Sequence, residues 1–140
     1  MNITLTTKLD NVNWEELSEV FIKAPLSPRE PSVIKKTFTN SMFKVMAFDD
    51  DKIIGAVRAI SDGVSHAVIY DLVLLPEYQK KGIGKQMMNK LLNDSKVKTY
   101  MLYSVPGKEK FYEQFGFNTM KTAMARFSNP DKARGHGYIV

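Results

Sequence analysis

The segment "HAVIYDLVLL", His66 to Leu75, constrains the fold more than any other part of the chain. It is a nearly continuous apolar run, the pattern of a central strand covered on both faces rather than one with a face in water. Such a strand requires layers, and its neighbours can supply them. The opening "NITLTT" alternates like a strand, with Ile3 and Leu5 on one side. Asn13 can cap a helix that lines up Leu17, Val20, Phe21 and Ala24, and Pro25 and Pro28 stop it. A second helix is expected over about Glu30 to Thr39, with Val33, Ile34, Thr37 and Phe38 at helical spacing. Then "MFKVMAFDDDKIIGAVRAISDG" reads as a hairpin around the acidic turn Asp49 to Asp51.

Pro76 ends the apolar strand. From Gly82 onward, Ile83, Met87 and Leu91, flanked by Met88 and Leu92, form a helical apolar stripe. "KTYMLYSV" reads as another buried strand, "GKEKFYEQF" as a short helix stopped by Gly116, and "MKTAMARF" as a last strand. The order is strand, two helices, three strands, helix, strand, helix, strand, which defines a mixed α/β layer protein. At 140 residues a single domain spanning 1–140 is expected. Met42, Met46, Met87, Met88 and Met101 fall at core positions.

Composition narrows the class. An apolar content of 44% with 25% charged residues is that of a globular chain, which sets aside disordered and low-complexity classes. With no cysteine, disulfides, thiolate zinc sites and cysteine nucleophiles are all excluded, and no metal is needed to hold the fold. The opening "MNITLTTKLD" has no basic leader or signal-length apolar run, and no segment approaches the roughly 18 apolar residues of a membrane span. A soluble cytoplasmic protein is expected, with no membrane partner. The net charge of +5 comes from scattered lysines rather than a basic face interleaved with aromatics, so a solvated surface is preferred over a nucleic-acid partner.

The link between the apolar strand and the helix after it is the chemically informative stretch. The first backbone N–H groups of a helix lack intrahelical partners, and the helix dipole adds about half a positive charge there. Glycine lets the backbone come close to an anion. "QKKGIGK", Gln79 to Lys85, is therefore a reasonable pyrophosphate cradle, with Lys80, Lys81 and Lys85 adding charge. A P-loop would need four residues between its glycines and a following Lys and Ser or Thr, whereas Ile83 alone separates Gly82 from Gly84. The dinucleotide fingerprint needs three glycines in a first strand-helix unit, and this stretch has two in mid-chain.

Gln79-Lys80-Lys81-Gly82-Ile83-Gly84 resembles the Gln/Arg-x-x-Gly-x-Gly/Ala acetyl-CoA loop of the GNAT N-acetyltransferases, and as in that family it follows an apolar strand ending in Pro-x-Tyr. "FYEQFGF", Phe111 to Phe117, resembles the family's Phe-Tyr-x-x-x-Gly-Phe segment, and the element order is similar along nearly the whole chain. The resemblance implies the GNAT acyl-CoA N-acyltransferase fold, a mixed, mostly antiparallel sheet flanked by helices. It also implies acetyl transfer from acetyl-CoA, without a metal, to a primary amine of a small molecule or peptide. The backbone around Lys81 to Gly84 would take the phosphates and Leu72, Val73 and Leu74 would present strand backbone to the pantetheine arm. The family admits homodimers. Many members carry Asn seven positions before the tyrosine; Val105 stands there in this chain, which puts that side-chain contact in question and leaves backbone contacts open. A non-catalytic acyl-CoA-binding module on the same fold is the alternative.

The chemistry sets two demands. A lysine-like amine of pKa about 10.4 is neutral in about one molecule in 2,500 at pH 7, which costs roughly 4.6 kcal/mol before attack, so its proton needs an acceptor. The departing thiolate is helped by an acid. Tyr112 matches the position of the family's tyrosine beside the CoA sulfur; its other reading is a packed tyrosine next to the Phe111 and Phe115 stripe. Asp71 resembles the strand acid of several members and could accept the proton directly or through water; its other reading is a carboxylate that orients nearby backbone. His66 has a suitable pKa, but a solvent-exposed loop residue is the preferred reading. His66 and Asp71 have opposite parity on an uninterrupted strand, which a bulge would reverse. Trp14 and the "FIKAPLSPREP" segment correspond to the variable roof of the acceptor site, with Trp14 itself preferred as a core anchor.

Overall fold

In the computed structural model, which describes residues 1–140, the β-rich segments of the first part of the chain pair into one five-stranded sheet. Its strands are β1 (Ile3–Thr6), β2 (Phe43–Asp49), β3 (Lys52–Ser61), β4 (His66–Leu74) and β5 (Thr99–Met101), in spatial order β1-β2-β3-β4-β5. The first three pairings are antiparallel and β4 with β5 is parallel. Three helices accompany the sheet: α1 (Trp14–Lys23), α2 (Pro31–Thr39) and α3 (Ile83–Ser95). Together they make the mixed α/β, mostly antiparallel sheet expected from the sequence. The chain separates into two compact units, Met1–Leu102 and Tyr103–Val140. No helix is long and apolar enough to cross a membrane.

The middle strand is β3, not β4. Ile53 to Val57 are buried in unbroken succession, so β3 is covered on both faces. Helix α1 packs against β3 and β4, and α3 against β2 and β3. Gly55 marks how closely β3 and β4 approach, since a Cβ there would lie 2.6 Å from the Val73 carbonyl oxygen. The helices form where capping and periodicity place them. Asn13 accepts the Glu16 N–H at 3.1 Å and starts α1, which buries Leu17, Val20 and Phe21. In α2 the buried pair is Ile34 and Phe38, while Val33 is exposed on the other side. In α3 the expected stripe of Ile83, Met87, Met88 and Leu91 is buried. Met46 joins that core, whereas Met42 is exposed and Met101 only half-buried.

The second unit is less regular than its sequence suggests. It holds α4 (Glu109–Glu113) and α5 (Pro130–Gly135), with Gly116 left-handed just after α4 at φ 89°. Of the strand expected over "KTYMLYSV", only Thr99–Met101 pairs. "MKTAMARF", Met120 to Phe127, is irregular: no strand pairs with it, and Met120 and Met124 are exposed. Strand-like alternation without a partner leaves the ladder hydrogen bonds unmade, so the segment does not extend. The unit is held instead by aromatic contacts, among them Tyr103 with Phe127 and Tyr138 at ring-centroid distances of 5.8 Å.

Candidate active site

The site is built where β4 stops being a regular strand. His66, Ala67 and Val68 pair with Thr99, Tyr100 and Met101 of β5, and there the parallel ladder ends. Beyond Val68, β4 is paired on its β3 side only. On that side the register shifts: Ala56 faces Val73 and Arg58 faces Tyr70, so β4 has one residue more than β3 between these pairs. This is a β-bulge, and Asp71 within it has φ 60°. Aspartate tolerates that left-handed conformation better than most side chains.

The bulge brings Asp71 to two arginines. Oδ2 of Asp71 accepts Arg29 Nη1 at 2.6 Å and Arg58 Nε at 2.7 Å, and the carboxylate side chain is only 6% exposed. Burial alone would raise the Asp71 pKa, but the hydrogen bonds and charges of both arginines outweigh it and hold the carboxyl below its ordinary value. The arginines are themselves braced. The Arg29 guanidinium lies 4.9 Å from the centre of the Phe21 ring, and its main-chain carbonyl accepts Ser18 Oγ at 2.8 Å. Arg58 lies 5.1 Å from the centre of the Tyr70 ring and donates to Ser41 Oγ at 3.3 Å. The sequence reading placed Asp71 in the right strand but missed both partners. Arg58 was within reach, because a hairpin between β3 and β4 puts it near Asp71; Arg29 arrives from the α1–α2 loop, 42 positions away.

His66 sits elsewhere. It is exposed at the start of β4, with Nδ1 3.1 Å from Ser65 Oγ, in a turn that Asp62 organises by accepting the N–H groups of Val64, Ser65 and His66. At about 3.3 Å of rise per residue, five residues of β4 put it roughly 16 Å from Asp71.

The open edge of β4 continues through Leu72, Val73 and Leu74 into a single 3-10 turn at Pro76–Tyr78, and then the lysine and glycine loop. Gln79 Nε2 donates to the Leu74 carbonyl at 2.9 Å, so this side chain ties the loop to the end of β4. Lys80 is left-handed at φ 61° and Gly82 at φ 83°. Gly82 is the N-cap of α3, no side chain caps that turn, and the first intrahelical bond runs from Gln86 N to the Gly82 carbonyl at 3.1 Å. The N–H groups of Ile83, Gly84 and Lys85 therefore have no helical partners. Lys80, Lys81 and Lys85 are exposed around them, and no acidic residue lies in this first turn. A Cβ at Gly82 would meet nothing within 4 Å. A diphosphate fits this donor set: unpaired amides, the positive end of a 13-residue helix and three lysines.

In the second unit, Tyr112 is half-buried on α4, in edge contact with Phe111 at 5.1 Å and Phe117 at 6.2 Å. Burial pushes its phenol pKa above the ordinary value of 10.0, so the hydroxyl keeps its proton at neutral pH. Phe111 and Phe115 pack at 5.4 Å as their spacing predicts. No group of three or more His, Asp or Glu side chains is placed to hold a metal ion.

Known proteins resemble this chain in sequence and in fold. Residues 9–127 match the family model described as an acetyltransferase (GNAT) domain. The chain belongs to the GNAT acetyltransferase family. It is 30% identical over 135 residues to the chloroplastic GCN5-related N-acetyltransferase 1 of Arabidopsis thaliana, covering 93% of this chain and 64% of that protein. The chain thus spans somewhat under two thirds of the length of that relative. It is also 23% identical to the [ribosomal protein bS18]-alanine N-acetyltransferase of Haemophilus influenzae, over 99% of this chain and 97% of that one. Among solved structures, a GNAT-family acetyltransferase from Streptococcus pneumoniae superposes with a TM-score of 0.77 at 24% identity, covering 91% of this chain and 98% of the other, which shows the shared fold.

Proposed function

We propose that the protein is an N-acetyltransferase that moves the acetyl group of acetyl-CoA to a primary amine by direct transfer in a ternary complex. The observation that carries this reading is the uncapped start of α3: left-handed Gly82 and three exposed lysines adjoin the unpaired edge of β4. The backbone of Lys81, Gly82, Ile83 and Gly84 would hold the diphosphate, with Lys80, Lys81 and Lys85 neutralising it, and Leu72, Val73 and Leu74 would align the pantetheine arm. Gln79 would shape the loop through its bond to Leu74. When bound, acetyl-CoA supplies the thioester: as the new N–C bond forms the C–S bond breaks, one proton leaves the nitrogen and one reaches the sulfur.

Tyr112 is the proton donor in this reading. Its phenol holds its proton throughout the neutral range and so has one to give, although burial, by raising the pKa, makes it a weaker acid than a free phenol. Asp71, the acid expected from the sequence as proton acceptor, is a poor base while two guanidiniums share its Oδ2. We assign it instead to fixing Arg29 and Arg58, and assign the amine's proton to solvent. An amine acceptor is supported by the relative of nearly equal length whose name specifies an alanine of a ribosomal protein.

The test combines calorimetry with acetyl-CoA and a thiol-release screen over small amines, amino acids, polyamines and peptide N-termini. Binding with acetyl-CoA-dependent thiol release is expected. Binding without release for any amine would establish the non-catalytic acyl-CoA module instead, and no binding at millimolar acetyl-CoA would overturn the reading altogether.

A further inference from the structure

The Arg29–Asp71–Arg58 cluster carries more positive charge than its fold requires. Two guanidiniums meet one carboxylate, and they meet it through a single oxygen. One unit of positive charge is left over among side chains that are 25% (Arg29), 12% (Arg58) and 6% (Asp71) exposed. A structural ion pair would need only one arginine, and holding a second cation out of water is costly unless something compensates it.

The hydrogen bonds show which arginine has capacity to spare. Arg58 is engaged through Nε with Asp71 and through Nη1 with Ser41. Arg29 gives Nη1 to Asp71, and its Nε and Nη2 make no hydrogen bond within the protein. Those two nitrogens form one of the planar forks that match a carboxylate or phosphate with two parallel bonds. The fork is held in place before any ligand arrives, by Asp71, by the Phe21 ring and by the Ser18 bond to the Arg29 carbonyl. It belongs to the best exposed member of the cluster. It stands at the bulge, past the end of the β5 pairing at Val68 and just before the Leu72–Leu74 edge.

We infer that Arg29, backed by Arg58 and oriented by Asp71, selects an acceptor amine that carries an anionic group, a carboxylate or phosphate, a few bonds from its nitrogen. The inference rests on the acetyltransferase reading above and adds its substrate class. In that reading the acceptor nitrogen approaches beside β4 at the end of the pantetheine arm, and the spare guanidinium fork fixes the acceptor's far end. Asp71 is a positioning residue here: it aims the fork rather than touching the acceptor.

Matched pairs of amines test this directly, since each pair differs only in the anion: an amino acid against its amide, and O-phosphoethanolamine against ethanolamine. The first pair reads carboxylate recognition and the second phosphate. For the unaltered protein, kcat/KM should be about tenfold to a hundredfold higher for the anionic member of at least one pair, the range expected for hydrogen bonds to a charged group. In Arg29→Gln that ratio should collapse towards one, and in Arg29→Lys, which keeps charge but loses the fork, it should fall between. A purely structural arginine would lower both members of a pair together and leave the ratio unchanged, which overturns the inference. So does a ratio near one in the unaltered protein. Binding of the anionic amines to the CoA-loaded protein, followed by calorimetry, separates the two levels of the argument. Acetyl-CoA binding with neither anionic-amine binding nor preference sinks the acceptor assignment alone, while failure to bind acetyl-CoA sinks the acetyltransferase reading with it.

Discussion

Replacing Asp71 with asparagine puts the reading of the cluster at risk most directly. The substitution keeps size and shape but removes the one anion that faces two guanidiniums, at a site where the carboxylate is 6% exposed and Arg58 12%. Removing one partner of a buried pair typically costs 3–5 kcal/mol because the other charge stays behind uncompensated. Arg29 is 25% exposed and can shed part of that cost to water, so about 3 kcal/mol is expected. For a chain of this size that lowers the melting temperature by roughly 10 °C. The loss depends on pH in a defined direction. Asp71 titrates below its ordinary value in the folded protein, so its stabilisation is complete above about pH 4 and disappears as pH falls through the lower folded value. Urea unfolding of both proteins from pH 7 to pH 2.5 should therefore show a full gap at neutral pH that narrows as the solution becomes acid. In an Arg29→Gln background the same substitution should cost about 1 kcal/mol less, because one of the two stranded cations is gone. If Asp71→Asn instead melts within about 2 °C of the parent at pH 7 and loses a hundredfold or more in turnover, the aspartate is a proton acceptor and the reasoning fails.

Three other outcomes follow from the same geometry. Gly82→Ala meets no steric obstacle but must hold φ 83°, so it should lose about 1–2 kcal/mol of stability in denaturant titration and weaken acetyl-CoA binding measured by calorimetry. Tyr112→Phe should lower kcat by about tenfold or more with little change in acetyl-CoA affinity, and a kcat equal to the parent's would remove the tyrosine from the chemistry. Lys80 and Lys96 are both left-handed, at φ 61° and φ 50°, so glycine at either position should stabilise by about 0.5–1 kcal/mol. Lys96→Gly relieves only the C-cap of α3 and should leave acetyl-CoA affinity alone, whereas Lys80→Gly also removes a loop charge and should reduce it.

The readable parts of the fold were those governed by local rules. Asn13, the Leu17–Phe21 face, the acidic hairpin turn and the Ile83–Leu91 stripe are each set by neighbours within a few residues, so period and capping chemistry are enough to find them. What escaped depends on partners remote in sequence. The alternation of "MKTAMARF" meets the local requirement for a strand but finds no edge to pair with. β3 rather than β4 is the middle strand because the sheet ends at β5, and the three-residue pairing of β5 is likewise not encoded in "KTYMLYSV". A charged residue inside an apolar strand was legible as an anomaly, yet whether it is a base or an anchor is decided by Arg29, supplied by a loop.

That division explains why donor and acceptor differ so much in legibility. A diphosphate is held by backbone amides and helix polarity, which follow from a short run of glycines and lysines. In the reading proposed above the acceptor is recognised by side chains that separate elements bring together, and no short run encodes them. Along Asp71 to Gly82 the chain departs from regular geometry repeatedly: a bulge, an unpaired edge and left-handed Asp71 and Lys80. The other two left-handed non-glycine residues, Asp50 and Lys96, have ordinary reasons, a hairpin turn and a helix C-cap. Asp71 sits in the bulge of β4, and Lys80 in the loop that leads into α3. Conformations that cost stability persist where the surroundings enforce them and a site needs them. Here Asp71 is held by the two arginines and Lys80 lies in the loop tied down by Gln79, the first just before the stretch assigned to acetyl-CoA and the second within it.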